Sequence, residues 1–179
     1  MPNIHKNLKE IAFEEHIERE LVRMHGFRKR NAETDYDKTT ALDNALLFEF
    51  LKKTQSEKMT RLEEIYGDAL ETRVIRRIDE EITKRGIIEC LRKGIDEGPV
   101  RLDLMFFRSS TSLNPDIEKL YKSNIFSVIR QVKFSQTTEQ SVDLVLCLNG
   151  IPIITYELKN ELTGQSANHA MRKYRTDRD

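Results

Sequence analysis

Asn149-Gly150 separates two strongly β-prone runs, Val142 to Leu148 and Ile151 to Lys159, and no other feature constrains the fold as tightly. An Asn-Gly pair suits a two-residue turn with positive φ at both positions, the strongest short-range hairpin signal a sequence offers. Ile151, Ile153 and Ile154 on one side, and Val142 to Leu148 on the other, are apolar enough to predict strands internal to a sheet. Charged side chains carried into such a place need a reason to be there.

Upstream of the hairpin the apolar period is helical. Ile11, Phe13, Ile17, Leu21 and Met24 predict a first helix stopped at His25-Gly26. A polar loop is expected from Arg28 to Thr40. Leu42, Ala45, Leu46, Phe48, Phe50 and Leu51 predict a second helix, and Leu62, Ile65 and Tyr66 a third. Val74, Ile78, Ile82 and Ile87 predict a fourth, with Gly94 and Gly98-Pro99 closing the helical half. The period then changes to that of strands, in Val100 to Phe106 and in Asn124 to Phe134, with Asn114-Pro115-Asp116 read as a turn between them. Thr163-Gly164 ends the last strand, and Ser166 can cap a closing helix. The expectation is one α/β (α+β) domain over 1–179, helical over 1–98, with the sheet and closing helix over 99–179.

Thirty basic and thirty acidic residues cancel, so the global field favours no partner and a nucleic acid would have to meet a local basic surface. No stretch approaches the roughly 18 apolar residues of a membrane span, and the first residues lack a signal peptide's apolar core, so the expected compartment is the cytoplasm. Cys90 and Cys147 have no ligand-spaced partners and read as reduced, packed thiols. His5, His16, His25 and His169 are likewise scattered.

The chemistry gathers at the hairpin. Residues i and i+2 of a strand share a face, so Glu157 and Lys159 project together while Leu158 turns to the buried side. Such pairs ordinarily mark a solvated strand face. Here Asp143 adds a third charge at the mouth of the same hairpin, and a divalent cation would give the two carboxylates cause to sit together. Geometry imposes a condition. A plain two-residue turn pairs Leu148 with Ile151 and, continued unbroken, sets Asp143 opposite Tyr156 with Glu157 facing away. A shared face demands an odd loop or a bulge.

The string Val142-Asp143 through Asn149-Gly150 and Pro152, followed by Glu157-Leu158-Lys159-Asn160, resembles the nuclease motif of type I restriction subunits, members of the PD-(D/E)xK superfamily. The resemblance runs on through Thr163-Gly164-Gln165 to Tyr174 and Asp179, and reaches back to Asn124-Ile125-Phe126 and Phe13-Glu14. It implies a restriction-endonuclease-like mixed sheet flanked by helices, and Mg2+ between Asp143 and Glu157, with the Leu158 backbone carbonyl as a further ligand. It also implies that Lys159 orients or deprotonates the attacking water. An acid from the first helix often joins such sites; Glu14 is the candidate, with Glu18 one turn on, and simple helix solvation is the alternative for both. Where the family often has Gln-x-x-x-Tyr, this chain has Lys173 and Asp177, with Tyr174 directly after the lysine. Lys173 either contacts a backbone phosphate or lies on the surface of a helix that buries Ala167, Ala170, Met171 and Tyr174.

The function implied is endonucleolytic hydrolysis of double-stranded DNA within a restriction–modification complex, partnered by methylation and specificity subunits. No Gly-x-x-x-x-Gly-Lys-Ser/Thr loop occurs. ATP would therefore serve only translocase domains expected downstream, and the chain reads as the N-terminal part of a longer subunit. A standalone or repair-type nuclease, or a catalytically silent DNA-binding or scaffold module of the same fold, remain as alternatives. Two features stay open: the basic run Arg73, Arg76, Arg77, Lys84 and Arg85, as DNA contacts or helix charge pairing, and Asp103, as a site member or a solvated edge.

Overall fold

Glycine divides the helical half where apolar spacing alone does not. In the computed structural model, which describes residues 4–108, 114–133 and 141–158, the helix expected through Ile87 is two helices. α4 (Leu70–Arg85) ends at Gly86, whose φ of 80° lies outside the helical region, and α5 (Ile87–Lys93) starts afresh. The other predicted helices are present as α1 (Ile4–His25), α2 (Asn44–Thr54) and α3 (Ser56–Tyr66). Asp43 caps α2 by accepting from the Leu46 N–H at 3.1 Å.

Three local expectations are corrected. The polar loop after α1 opens with a strand, β1 (Arg28–Arg30), whose residues carry no apolar signal and owe their conformation to pairing with the sheet. The run at Val100 forms only the short β3 (Val100–Leu102), which pairs with β2 (Ile95–Glu97) around Gly98-Pro99 as a separate two-stranded sheet. Helical structure thus gives way a few residues before 98. Asn114-Pro115-Asp116 starts a helix, α6 (Pro115–Lys122): Asn114 accepts from the Asp116 N–H and proline takes the first turn, where its missing donor costs nothing.

The main sheet is mixed, in the order β1-β4-β5-β6, from β4 (Phe126–Lys133), β5 (Ser141–Leu148) and β6 (Ile151–Tyr156). β1 runs parallel to β4, and the remaining pairs are antiparallel. Among the described residues β6 lies at the edge, not inside, and Ile154 and Tyr156 are exposed. The apolarity of β6 belongs instead to its start. Ile151 is buried and Ile153 half-buried in a helical core that includes Leu47, Phe50, Leu51, Leu62, Val74 and Ile78.

The hairpin therefore spans two environments. Its turn end, with Leu148 and Ile151, is inserted into the helical core, and its mouth lies by α1. On that side Val128, Leu144 and Leu146 pack with Ile17, Leu21, Phe27 and Leu158. Asn149 and Gly150 both have positive φ, 52° and 81°, as the tight turn requires. Asn149 is fully buried and bonds outward. Its Oδ1 accepts from Ile125 N–H at 2.7 Å, and its Nδ2 donates to the Leu104 carbonyl at 2.8 Å. Gly150 accepts from the Asp43 N–H, and a Cβ there would stand 2.3 Å from the Asp43 carbonyl oxygen.

Candidate functional site

Whether Asp143 and Glu157 can act together depends on the hairpin's register. The turn pairs Leu148 with Ile151 and Cys147 with Pro152, but Leu146 then pairs with Ile154, leaving Ile153 without an opposite residue. This bulge moves the rest of β6 by one position. Tyr156 pairs with Leu144 instead of Asp143, and the next positions along the two strands are Asp143 and Glu157. The two carboxylates interact directly by charge and by a side-chain hydrogen bond.

Leu158 fixes the end of this arrangement twice over. Its N–H donates to Asp143 Oδ2 at 2.6 Å, and its side chain packs with Val128, Leu144 and Leu146 against α1. The residue between Glu157 and Lys159 is thus held at backbone and side chain. Asp143 is pushed up to about 6, first by burial, against the lowering effect of the Leu158 N–H. The Glu157 charge and hydrogen bond raise it further, as does the charge of Glu14. A carboxyl held near the pH at which it ionises, beside a second carboxylate, is a place where a cation would relieve both burial and repulsion.

Glu14 is not solvated as the helix alternative supposed. It is 2% exposed, and Glu18 is 5% exposed, while Phe13 points to solvent. α1 therefore turns an acidic stripe inward beside Ile17 and Leu21, a pattern that apolar periodicity misses. Its counter-charge is Arg130 of β4, 3.5 Å from Glu14 Oε2, 3.4 Å from Glu15 and 3.8 Å from Glu18. Lys29 of β1 also meets Glu18, at 2.7 Å. Gln131 donates from Nε2 to Glu14 Oε1 at 2.9 Å. Glu14 Oε2 is buried without a hydrogen-bond partner. Sequence reasoning missed Arg130 and Gln131, although a basic residue following Val128-Ile129 inside an apolar strand was a usable signal.

Among the described residues no group of three or more His, Cys, Asp or Glu side chains is placed to hold a metal ion. Asp143 and Glu157 provide two carboxylates, and Glu14, paired with Arg130, adds negative charge within electrostatic reach of Asp143. That donor set suits a hard divalent cation completed by backbone oxygen and water. Lys159, Lys173, Tyr174 and the closing helix expected from Ser166 lie outside the described residues.

The model of the family described as type I restriction enzyme R protein N terminus matches residues 7–179. The chain belongs to this family. It is the N-terminal domain of a type I restriction enzyme R subunit, as the resemblance at the hairpin implied. No curated protein and no solved structure gives a significant match.

Other candidates in this R-subunit domain have partners of their own. Asp103 pairs with Lys58 at 3.1 Å, and its backbone N–H and carbonyl bond Gln55. In the basic run of α4, Arg76 pairs with Glu80 and Arg77 and Arg85 with Glu81, the charge-pairing alternative. Both cysteines are buried free thiols, and burial pushes Cys147 up to about 12. No helix among the described residues is long and apolar enough to cross a membrane.

Proposed function

We propose that this domain is the metal-dependent endonuclease of its R subunit, hydrolysing phosphodiester bonds of double-stranded DNA. The observation that carries the proposal is the bulge at Ile153, which shifts the register so that Asp143 and Glu157 are the next positions beyond the Leu144–Tyr156 pair, at the mouth of an otherwise apolar hairpin. Hydrolysis of a phosphodiester needs an activated water and positive charge against the phosphate, and Mg2+ supplies both when bound. Asp143 and Glu157 would hold the ion, with the Leu158 carbonyl, and Glu14 is the further acid on the α1 side. Lys159, two residues beyond Glu157, orients the water and offsets charge developing on the phosphate. Leu158 keeps this stretch in place through its bond to Asp143.

The partners in this proposal are DNA and the methylation and specificity subunits, and ATP serves translocation elsewhere in the full-length subunit. The compartment is the cytoplasm. The deciding experiment compares the assembled complex with and without Lys159→Ala. Cleavage is lost and ATP-driven translocation survives; unchanged cleavage defeats the mechanism. The convergence of only two carboxylates among the described residues favours one rival, a silent DNA-binding module, which predicts no binding of Mg2+ or Mn2+ at Asp143.

A further inference from the structure

The strand position opposite Asp143 is Gln131, between the pairs Arg130–Leu144 and Val132–Val142, and its backbone is left-handed, with φ of 51°. Non-glycine residues adopt this conformation at a cost and keep it only where the surroundings fix it. Here it breaks the alternation of the sheet. Val132 and Val142 join Ile129, Val145 and Cys147 in one cluster, not the Val128, Leu144 and Leu146 side that simple alternation would give them.

The Gln131 side chain then spans the mouth of the site. Its Nε2 donates to Glu14 Oε1 at 2.9 Å, and its Oε1 accepts from Ser141 Oγ at 2.9 Å, at the first residue of β5. One amide so ties α1 to the strand that carries Asp143. It engages one Glu14 oxygen and leaves Oε2, buried and without a hydrogen bond, beside Arg130. An amide donor suits this place, since a second cation there would compete with a metal for the same carboxylate.

We infer that Gln131 is a positioning residue of the carboxylate site, its left-handed backbone and side-chain amide fixing Glu14 against the Asp143 end of β5. This rests on the proposal that Asp143 and Glu157 bind a divalent cation. A residue that orients a ligand from outside the coordination sphere typically changes metal affinity by about 10- to 100-fold when removed.

The test measures Mn2+ affinity by calorimetry, and thermal unfolding with chelator, for the chain and for Gln131→Gly, Gln131→Lys and Asp143→Asn. Glycine accepts the positive φ but leaves the buried Glu14 Oε1 without its donor, so Gln131→Gly should unfold somewhat earlier than the parent and bind Mn2+ about 10-fold or more weakly. Gln131→Lys, which restores a donor to Glu14 but adds charge, should recover less than the full affinity. If Gln131→Gly binds as the parent does while Asp143→Asn does not bind, the positioning role is overturned and the site stands. If the parent and Asp143→Asn bind alike, the site itself is wrong. An early melt of Gln131→Gly with intact Mn2+ affinity would show a purely structural residue and overturn the inference as well.

Discussion

Asp143 and Leu158 are joined by a 2.6 Å hydrogen bond from backbone N–H to carboxylate, across strands whose turn-end register would not bring them together. The bond favours the ionised carboxylate, while burial and Glu157 disfavour it more strongly, leaving Asp143 at about 6. Without metal, ionising Asp143 opposes folding. Its folded value lies above the ordinary 3.8, so the protonated group's contribution is fully present below about pH 3.8 and is lost as pH rises through about 6. Thermal unfolding with chelator should show the parent falling behind Asp143→Asn over this window. A difference that stays flat from pH 4 to 7 would contradict the electrostatic account, and saturating Mg2+ should reverse the trend in the parent alone.

Gly150→Ala should cost well over 1 kcal/mol, because the turn holds a φ of 81° that a Cβ disfavours, and that Cβ meets backbone atoms at the start of α2. The Asp43 carbonyl oxygen at 2.3 Å and the Leu47 nitrogen at 2.8 Å cannot swing aside like a side chain. Urea unfolding measures the loss, and a variant as stable as the parent would mean the turn does not dock on α2 as described.

Asn149→Gly keeps the backbone conformation of the turn and deletes its buried bonds to Ile125, Leu104 and Asn124. Leaving the Ile125 N–H and Leu104 carbonyl unsatisfied should cost about 2–6 kcal/mol, at roughly 1–3 kcal/mol for each buried orphan. A loss of a few tenths, read by the same titration, would reduce Asn149 to an ordinary turn residue.

Arg30 grips Asp43 through Nε at 2.6 Å and Nη2 at 3.2 Å, and Asp43 is fully buried. Arg30→Met should destabilise by about 3 kcal/mol, since it strands a buried charge. Asp43→Asn in that background should recover much of the loss, because asparagine caps α2 about equally well. Additive losses in the double variant would show that the pair is not coupled.

The helices and the hairpin were legible because their apolar spacing is also their packing. Asn149-Gly150 announced the turn, and the need for a displaced register could be stated from Asp143 and Glu157 alone. Ile153 as the bulged residue could not, since nothing in Ile151-Pro152-Ile153-Ile154 distinguishes one isoleucine from another before the helical core claims Ile151 and Ile153. β1 was invisible for a related reason. Arg28, Lys29 and Arg30 look like loop, and their pairing partners Glu49, Glu18 and Asp43 are distant in sequence. Glu14 and Glu18 were named as candidates, but apolar spacing could not decide between the site and helix solvation, because burial of acids depends on Arg130, which only the folded sheet delivers.

The bulge also has a meaning in simple counting. Across a two-residue turn, residues that face each other have an even number of residues between them, and an odd number lies between Asp143 and Glu157. One unpaired residue corrects the parity. Inserting or deleting a single residue between these acids would leave both in place as letters yet turn one of them away. The spacing of this motif is therefore as much a part of its chemistry as the identity of its residues.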